Sequence, residues 1–447
     1  MFLRPATPLK PERMRPDDPR QRRRFRLCAG SIVTVLFFFM PLSLPALAEE
    51  ASTANGFERA LAAITDARPI LDQVARYEYG KLDGLQHSHS ATLRTRFGVK
   101  SGTYEGFTAL VEGVNTFSPW SSEYFDGQAP NSRGQTPVAD PERTDVNRYW
   151  LQFAKKEWAG LGIKSGRQRI KLDDDRWIGN VGWRQNEQTF DAVRAQTTLG
   201  VDKLLLQYIY AWDVHRLFAN EGAAGQLDYD PNAHFLNVGY QASKALKAVA
   251  FAYLVDPDAP AYAAFGSATY GARFTGVIAI SDDVSIPYQA SYAYQTDWGR
   301  NQVSYDAHYA YVEGGLKYKP LGTVFFGYEH LGSDTDARIA TPFSTAHKFN
   351  GFADVFLNNG GLRGLRDFYV SFAPKMPFKK WKARFWFHQF WDDQGGDDLG
   401  QEYDFVTTYA LNEYVSFLWK VAYFDGGKNR SPTASATRST VQTTFKF

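Results

Sequence analysis

The chain has 447 residues, 16% of them aromatic, with 50 Lys/Arg against 48 Asp/Glu and a single cysteine. One cysteine excludes a disulfide framework, and a net charge of +2 gives no argument for a nucleic-acid partner. Past the first 48 residues no apolar run approaches the ~18 residues a membrane-spanning helix needs, so a mature chain in a membrane crosses it as strands.

The first element is a leader. Arg20, Arg22, Arg23, Arg24 and Arg26 precede an apolar run from Leu27 to Leu44, and Ala46-Leu47-Ala48 supplies a small-x-small cleavage site. That is the layout of a secretory signal over residues 1–48. Pro41 and Pro45 interrupt the alternative, an anchoring helix, and Cys28 lies before the apolar run, a poor place for lipidation. The leader takes nine Lys/Arg and three Asp/Glu, which leaves 41 basic and 45 acidic residues and a mature charge of −4. Residues 49–72 read as a periplasmic N-terminal segment. Within Asn55–Asp72, Phe57, Leu61 and Ile64 recur at helical spacing and Pro69 stops the run, which predicts a short amphipathic helix.

From residue 73 to 447 the pattern changes to period 2. Leu93–Val99, Phe107–Asn115, Asn147–Phe153, Ile163–Leu172, Leu204–Trp212 and Leu236–Tyr240 alternate bulky and polar residues. So do Thr269–Phe274, Ile286–Tyr294, Phe368–Phe372, Arg384–Phe390, Tyr403–Tyr409 and Phe417–Tyr423. The chain ends Val441-Gln442-Thr443-Thr444-Phe445-Lys446-Phe447. Alone, that tail fits either the edge of a soluble sheet or the seam of a barrel. Short connections (such as Lys100–Glu105, Lys155–Gly160 and Gly200–Lys203) alternate with long ones (Thr116–Val146, Asp173–Thr189, Asp213–Ala233, Gly332–Arg366). One rim of short turns and one of long loops is what a transmembrane barrel predicts. Counting His347–Phe356 as a strand gives nineteen strands and puts the two ends on opposite rims. Leaving it in the loop gives eighteen, with both ends on the short-turn, periplasmic rim. The expected fold is therefore all-β: a transmembrane antiparallel barrel of about 18 strands in the outer membrane, after a short N-terminal helix. Its expected partners are outer-membrane lipid and, through Phe447, the barrel-assembly machinery.

In such a barrel the polar face lines the lumen, and cations facing lipid are costly. Arg94 and Arg96 alternate with Leu93, Thr95 and Phe97, and Arg148 lies between Asn147 and Tyr149. Arg167, Arg169 and Lys171 share one face, and Arg194, Arg273 and Arg384 take similar positions. Glu112, Glu313, Glu329, Glu402 and Asp404 fall on polar faces too. The cations therefore fit two roles that can coexist: ion pairs stiffening the wall, or a track for an anionic solute. The segment Asp173–Thr189 combines Arg176, Trp177, Asn180, Trp183, Arg184 and Asn186, a mixture suited to sugar rings and carboxylates and to a loop constricting the lumen. Packing of the two tryptophans against a neighbouring loop is the alternative. No cofactor motif, phosphate loop or Gly-x-Ser-x-Gly is present. His87 and His89 read as loop residues, and the acidic runs Asp173–Asp175, Asp392-Asp393 and Asp397-Asp398 lack EF-hand spacing. Ser371 and His388 form the one candidate hydrolase pair, and the expectation is no enzyme.

Several stretches resemble the bacterial alginate-export outer-membrane porins: Leu93–Gly98, Gly102-x-Tyr104-x-Gly106-Phe107, Val138-Ala139-Asp140-Pro141, Gly166-Arg167-Gln168-Arg169 and Asp175–Asp191. Leu331–Asp334, Thr341-Pro342, Phe349–Gly351, Ala353-Asp354 and Gln394–Gly396 continue the likeness. The resemblance implies eighteen strands, loops acting as gates, and a lumen basic enough for a polyuronate. It implies pore-lining roles for Arg94, Arg96, Arg148, Arg167, Arg169, Arg184 and Arg194, beside Lys171, Arg176 and Arg273 from the residue reading. The expected solute is an acidic polysaccharide or oligosaccharide such as alginate. A general or small-anion porin, or a sugar-binding or enzymatic barrel, is the alternative.

Overall fold

The computed structural model describes residues 61–120, 123–127, 134–217, 230–334, 337–357, 363–426 and 434–447. The leader and Phe57 lie outside them. In chain order the strands are β1 (Arg68–Leu82), β2 (Ser88–Lys100), β3 (Phe107–Phe117), β4 (Arg143–Lys155), β5 (Leu161–Gln168), β6 (Thr189–Thr197), β7 (Leu204–His215), β8 (Pro231–Ser243) and β9 (Leu246–Pro257). They continue as β10 (Ser267–Ala279), β11 (Val284–Asp297), β12 (Asp306–Tyr318), β13 (Gly322–Leu331), β14 (Leu365–Pro374), β15 (Trp381–Trp391), β16 (Asp398–Ala410), β17 (Val415–Asp425) and β18 (Ala436–Lys446).

Each strand pairs antiparallel with the next, and β18 closes on β1 from Asp72↔Lys446 to Leu82↔Ala436. Closure leaves no unpaired sheet edge, the condition for strands in hydrocarbon. Period 2 explains the two surfaces. On β2 the side chains of Arg94 and Arg96 are buried inside while Phe97 and Val99 are exposed outside. Leu151, Tyr208, Tyr292, Phe326, Trp419 and Val441 are likewise exposed, forming an apolar outer surface of the kind that faces lipid.

The parity expectation holds. Residues 347–356 form no strand: a 3₁₀ turn, Ala346–Lys348, begins the segment and the rest lies in the β13–β14 connection. Both ends of the barrel fall on the short-turn rim. The expected helix ends earlier than its pattern suggests. Residues 61–65 are helical, and the barrel starts at Arg68 rather than at residue 73. Pro69 therefore opens a strand, where a missing N–H is tolerated, instead of ending a helix. His89 also moves, from a loop into β2, where Tyr77 Oη lies 2.7 Å from its Nδ1.

Candidate functional site

Four bulges or register shifts interrupt the wall, and two of them set the lumen chemistry. At Glu112/Gly113 the β3–β4 register slips, so Asn147 and Arg148 both turn toward Glu112. At Asp191/Ala192 the β6–β7 register slips where Asp191 receives the Arg167 fork, at 3.0 and 3.2 Å. Such bulges re-aim side chains at barrel rims.

The β5–β6 connection folds inward across the lumen. A turn closes where Leu172 N–H donates to the Ile178 carbonyl. Asp173, Asp175 and Val181 all take positive φ, and for the β-branched Val181 (φ 49°) that is a strained geometry which its surroundings must enforce. A Cβ at Gly179 would meet Thr345 Oγ1 at 2.2 Å, so only glycine permits the close approach of the two inward loops there. Trp177 reaches the far wall, 6.1 Å from Phe251 and 5.2 Å from Tyr309 between ring centroids. Arg176 goes further and meets Glu329 on β13 at 2.9 Å.

The β13–β14 connection folds in against the first loop. Gly179 N–H donates to the Phe343 carbonyl, and Trp183 stacks on His347 at 4.7 Å and 3°. His347 Nδ1 lies 2.5 Å from Asp354, and its Nε2 faces Lys420 Nζ. This arrangement suits the neutral ring, with Nδ1 donating to the carboxylate and Nε2 accepting from the ammonium. Arg184 ties the centre together: Glu78 at 3.1 Å, Asp354 at 2.8 Å and Asp140 at 3.7 Å. Asn180 donates to Glu187, and Asn186 accepts from Thr116 while donating to the Pro141 carbonyl.

The charge balance is local. Burial would raise the Glu187 carboxyl, but Arg96 and Arg169, with hydrogen bonds from Arg169 and Asn147, hold it at about 2. Burial lowers His347, and Lys420 and Arg184 add to this against Asp354, leaving it at about 3. Asp354 is kept well below the usual carboxylate range because His347, Arg184 and Arg438 outweigh its burial.

The predicted path cations are therefore mostly paired. Arg94 meets Asp72, Arg96 and Arg169 meet Glu187, Arg148 meets Glu112, and Arg167 meets Asp191. Lys171 meets Asp175, Arg176 meets Glu329, Arg184 meets Glu78, and Arg273 meets Asp174. Arg194 alone among the ten has an amide partner instead, Gln207 Oε1. The acidic runs are consumed in the same way, Asp392 by Arg363 and Asp393 by Arg366.

Against known proteins, residues 121–323 match the family described as Alginate export. No curated protein matches the sequence. The fold is similar to OccAB2 of Acinetobacter baumannii, at 16% identity and TM-score 0.66, covering 86% of this chain and 99% of that one. It is similar to OpdL of Pseudomonas aeruginosa at 11% identity and TM-score 0.63, with the same coverage. OpdO of Pseudomonas aeruginosa gives 11% identity and TM-score 0.64, covering 87% and 99%. At these identities the likeness is one of fold.

The matched segment contains the VADP, GRQR and WIGNVGWRQNEQTFD stretches, and the structure brings all three together. Asp140 of the first accepts from Arg76 at 3.1 Å and from the Gln185 N–H at 2.8 Å. Sequence reasoning missed Arg76, Lys420 and Arg438, which surround Trp183 and Glu78. Alternation does mark them: Val74, Arg76 and Glu78 fall opposite Ala75, Tyr77 and Tyr79 on β1. Among the described residues Asp191, Asp213 and His215 gather closely enough to hold a metal ion, but Arg167 already forks Asp191. Ser371 Oγ accepts from Arg384 while His388 bonds Asp367, so each member of the candidate hydrolase pair is engaged elsewhere.

Proposed function

We propose that this chain is a passive outer-membrane channel for an anionic solute, an acidic polysaccharide or oligosaccharide such as alginate. The fold and the family segment support an outer-membrane channel. The observation that carries the anionic reading is the row of cations on the inner faces of β2, β4, β5 and β6 and at the start of the inward loop. Two of them keep solvent exposure in the lumen: Arg169 at 29% and Lys171 at 56% of their side-chain surface. Guanidinium forks and ammonium groups there attract carboxylates. The termini lie on the periplasmic rim in this reading, and Phe447 is the handle for barrel assembly. Nothing in the mechanism calls on a cofactor or a catalytic group.

A small-anion porin is the second reading, and the two inward loops favour it because both reach across the lumen and meet each other there. Planar-bilayer recording of the purified protein tests both. The channel is expected to prefer anions under a salt gradient, and reversing charge at Arg169 is expected to move the reversal potential toward cations. A cation-selective wild type contradicts the proposal. Small-anion conductance indifferent to uronate oligomers favours the second reading.

A further inference from the structure

The lumen between the inward β5–β6 loop and the short-turn rim holds a cavity of about 280 Å³ on the β6–β9 wall. Lys171, Arg194, Lys203 and Lys247 line it with the amides of Gln207 and Asn237. A single acid, Asp173, joins them. Burial raises the Asp173 carboxyl above its ordinary value, and Asn237 Nδ2 donates to it at 2.8 Å.

The pairing that governs the other lumen cations breaks down here. Arg194 meets only Gln207, and its Nε has no hydrogen-bond partner. Among the described residues Arg194, Lys203 and Lys247 form no ion pair, and the one acid in the cavity, Asp173, feels Lys247 without pairing to it. Lys164, opposite Arg194 across the β5–β6 pair, sits over the Trp150 ring at 4.3 Å and also lacks a carboxylate. A neighbouring cavity of about 380 Å³ shares Gln241 and Lys247, adds Lys244, and leads on along the short-turn side.

Like charges held together in a partly dry cavity repel one another, and an incoming carboxylate relieves that repulsion. A guanidinium held by one amide alone keeps donors to spare for a carboxylate, and flanking ammonium groups add to them. Amides beside them suit sugar hydroxyls, and the volume is at the small end of saccharide-sized pockets, roughly 300 Å³. We infer that Lys203, Lys247 and Arg194 form a carboxylate subsite for one uronate-like residue of an acidic saccharide, reached from the short-turn rim. This rests on the anionic-channel reading and adds to it a site, two rim lysines (Lys203 in a turn, Lys247 at the start of β9) that the sequence pattern did not nominate, and a sidedness. An oligomer arriving from the short-turn side meets the subsite before either inward loop.

The test uses the full-length mature protein in a planar bilayer, with a trimannuronate added to one side at a time and channel orientation read from current asymmetry. Wild type is expected to be blocked at lower concentration from the short-turn side. Lys203→Gln with Lys247→Gln is expected to raise the half-blocking concentration from that side about tenfold, as loss of charge-assisted hydrogen bonds implies. Lys203→Arg with Lys247→Arg, which keeps both charges, is expected to restore block. Equal half-blocking concentrations in wild type and the double glutamine variant overturn the subsite while an anion-selective channel stands. A cation-selective wild type without block overturns both.

Discussion

The two halves of the lumen wall solve opposite charge problems by different means. On β2–β6 the wall is basic, and side-chain carboxylates from the wall and the first inward loop neutralise it: Glu112, Glu187 and Asp191 each serve a nearby arginine. On β13–β16 the wall is acidic, with Glu329, Asp367, Glu402 and Asp404 all buried. There backbone does much of the work. Ala353 N–H donates to Glu402 at 2.6 Å and Phe352 N–H to Asp404 at 3.1 Å, while Asn350 reaches Glu329 and Asp367. The contrast teaches that one inward loop is held by side-chain charge pairs, while the other adds backbone N–H groups given to wall carboxylates to its pairs at Asp354, so different substitutions release each.

Removing the cation between the halves has the largest expected effect. Arg184→Ala leaves Glu78, Asp140 and Asp354 buried around a missing charge, and breaking a buried pair of this kind costs about 3–5 kcal/mol. A lower melting temperature of the purified barrel, with unsteady single-channel current, is the expected result. Gly351→Ala attacks the second loop alone. Gly351 has φ 83°, and an added Cβ would lie 2.4 Å from the Glu402 carboxyl carbon, so a loss of about 1–3 kcal/mol in loop docking is expected. Limited proteolysis should then cut within residues 337–357 while the strands stay resistant.

Acid distinguishes the two anchors by the pH at which each weakens. His347 binds a proton near pH 3 when docked and near 6.5 when released, so docking is strongest above about 6.5 and weakens as pH falls toward 3. Asp354, Lys420, Arg184, Trp183 and Phe352 face it, and a protonated ring loses the Lys420 hydrogen bond. Glu187, held at about 2, keeps its stabilising charge until pH falls through that value. Hydrogen exchange at pH 7.5 and pH 4.5 is expected to show lost protection around residues 345–354 and retained protection around Glu187. Smallest of all, Arg300→Ala removes an exposed pair with Asp258, and melting and selectivity are expected to stay as in wild type.

Much of this was legible in the sequence because a barrel repeats one rule. Period 2 placed Arg94, Arg148 and Glu402 on the inner face, and loop parity kept residues 347–356 out of the strand count. The start of β1 was not legible, since a helical spacing upstream runs straight into Pro69. The loop contacts were not legible either: Arg184 meets Asp354, 170 positions away, through two irregular loops whose course depends on Val181, Asn350 and Asp354 at positive φ. Lys203 sits in a turn and Lys247 at the start of β9, outside the alternating runs read from the sequence, and only the closed barrel brings them beside Arg194.

The central claim is that this lumen selects acidic saccharides by charge. Bilayer recording with a uronate oligomer and a neutral oligosaccharide of equal length, compared on the same channels, tests it most directly. The account predicts an anion-preferring current that the uronate blocks at far lower concentration than the neutral sugar. Equal block by the two sugars, or a preference for cations, would contradict it.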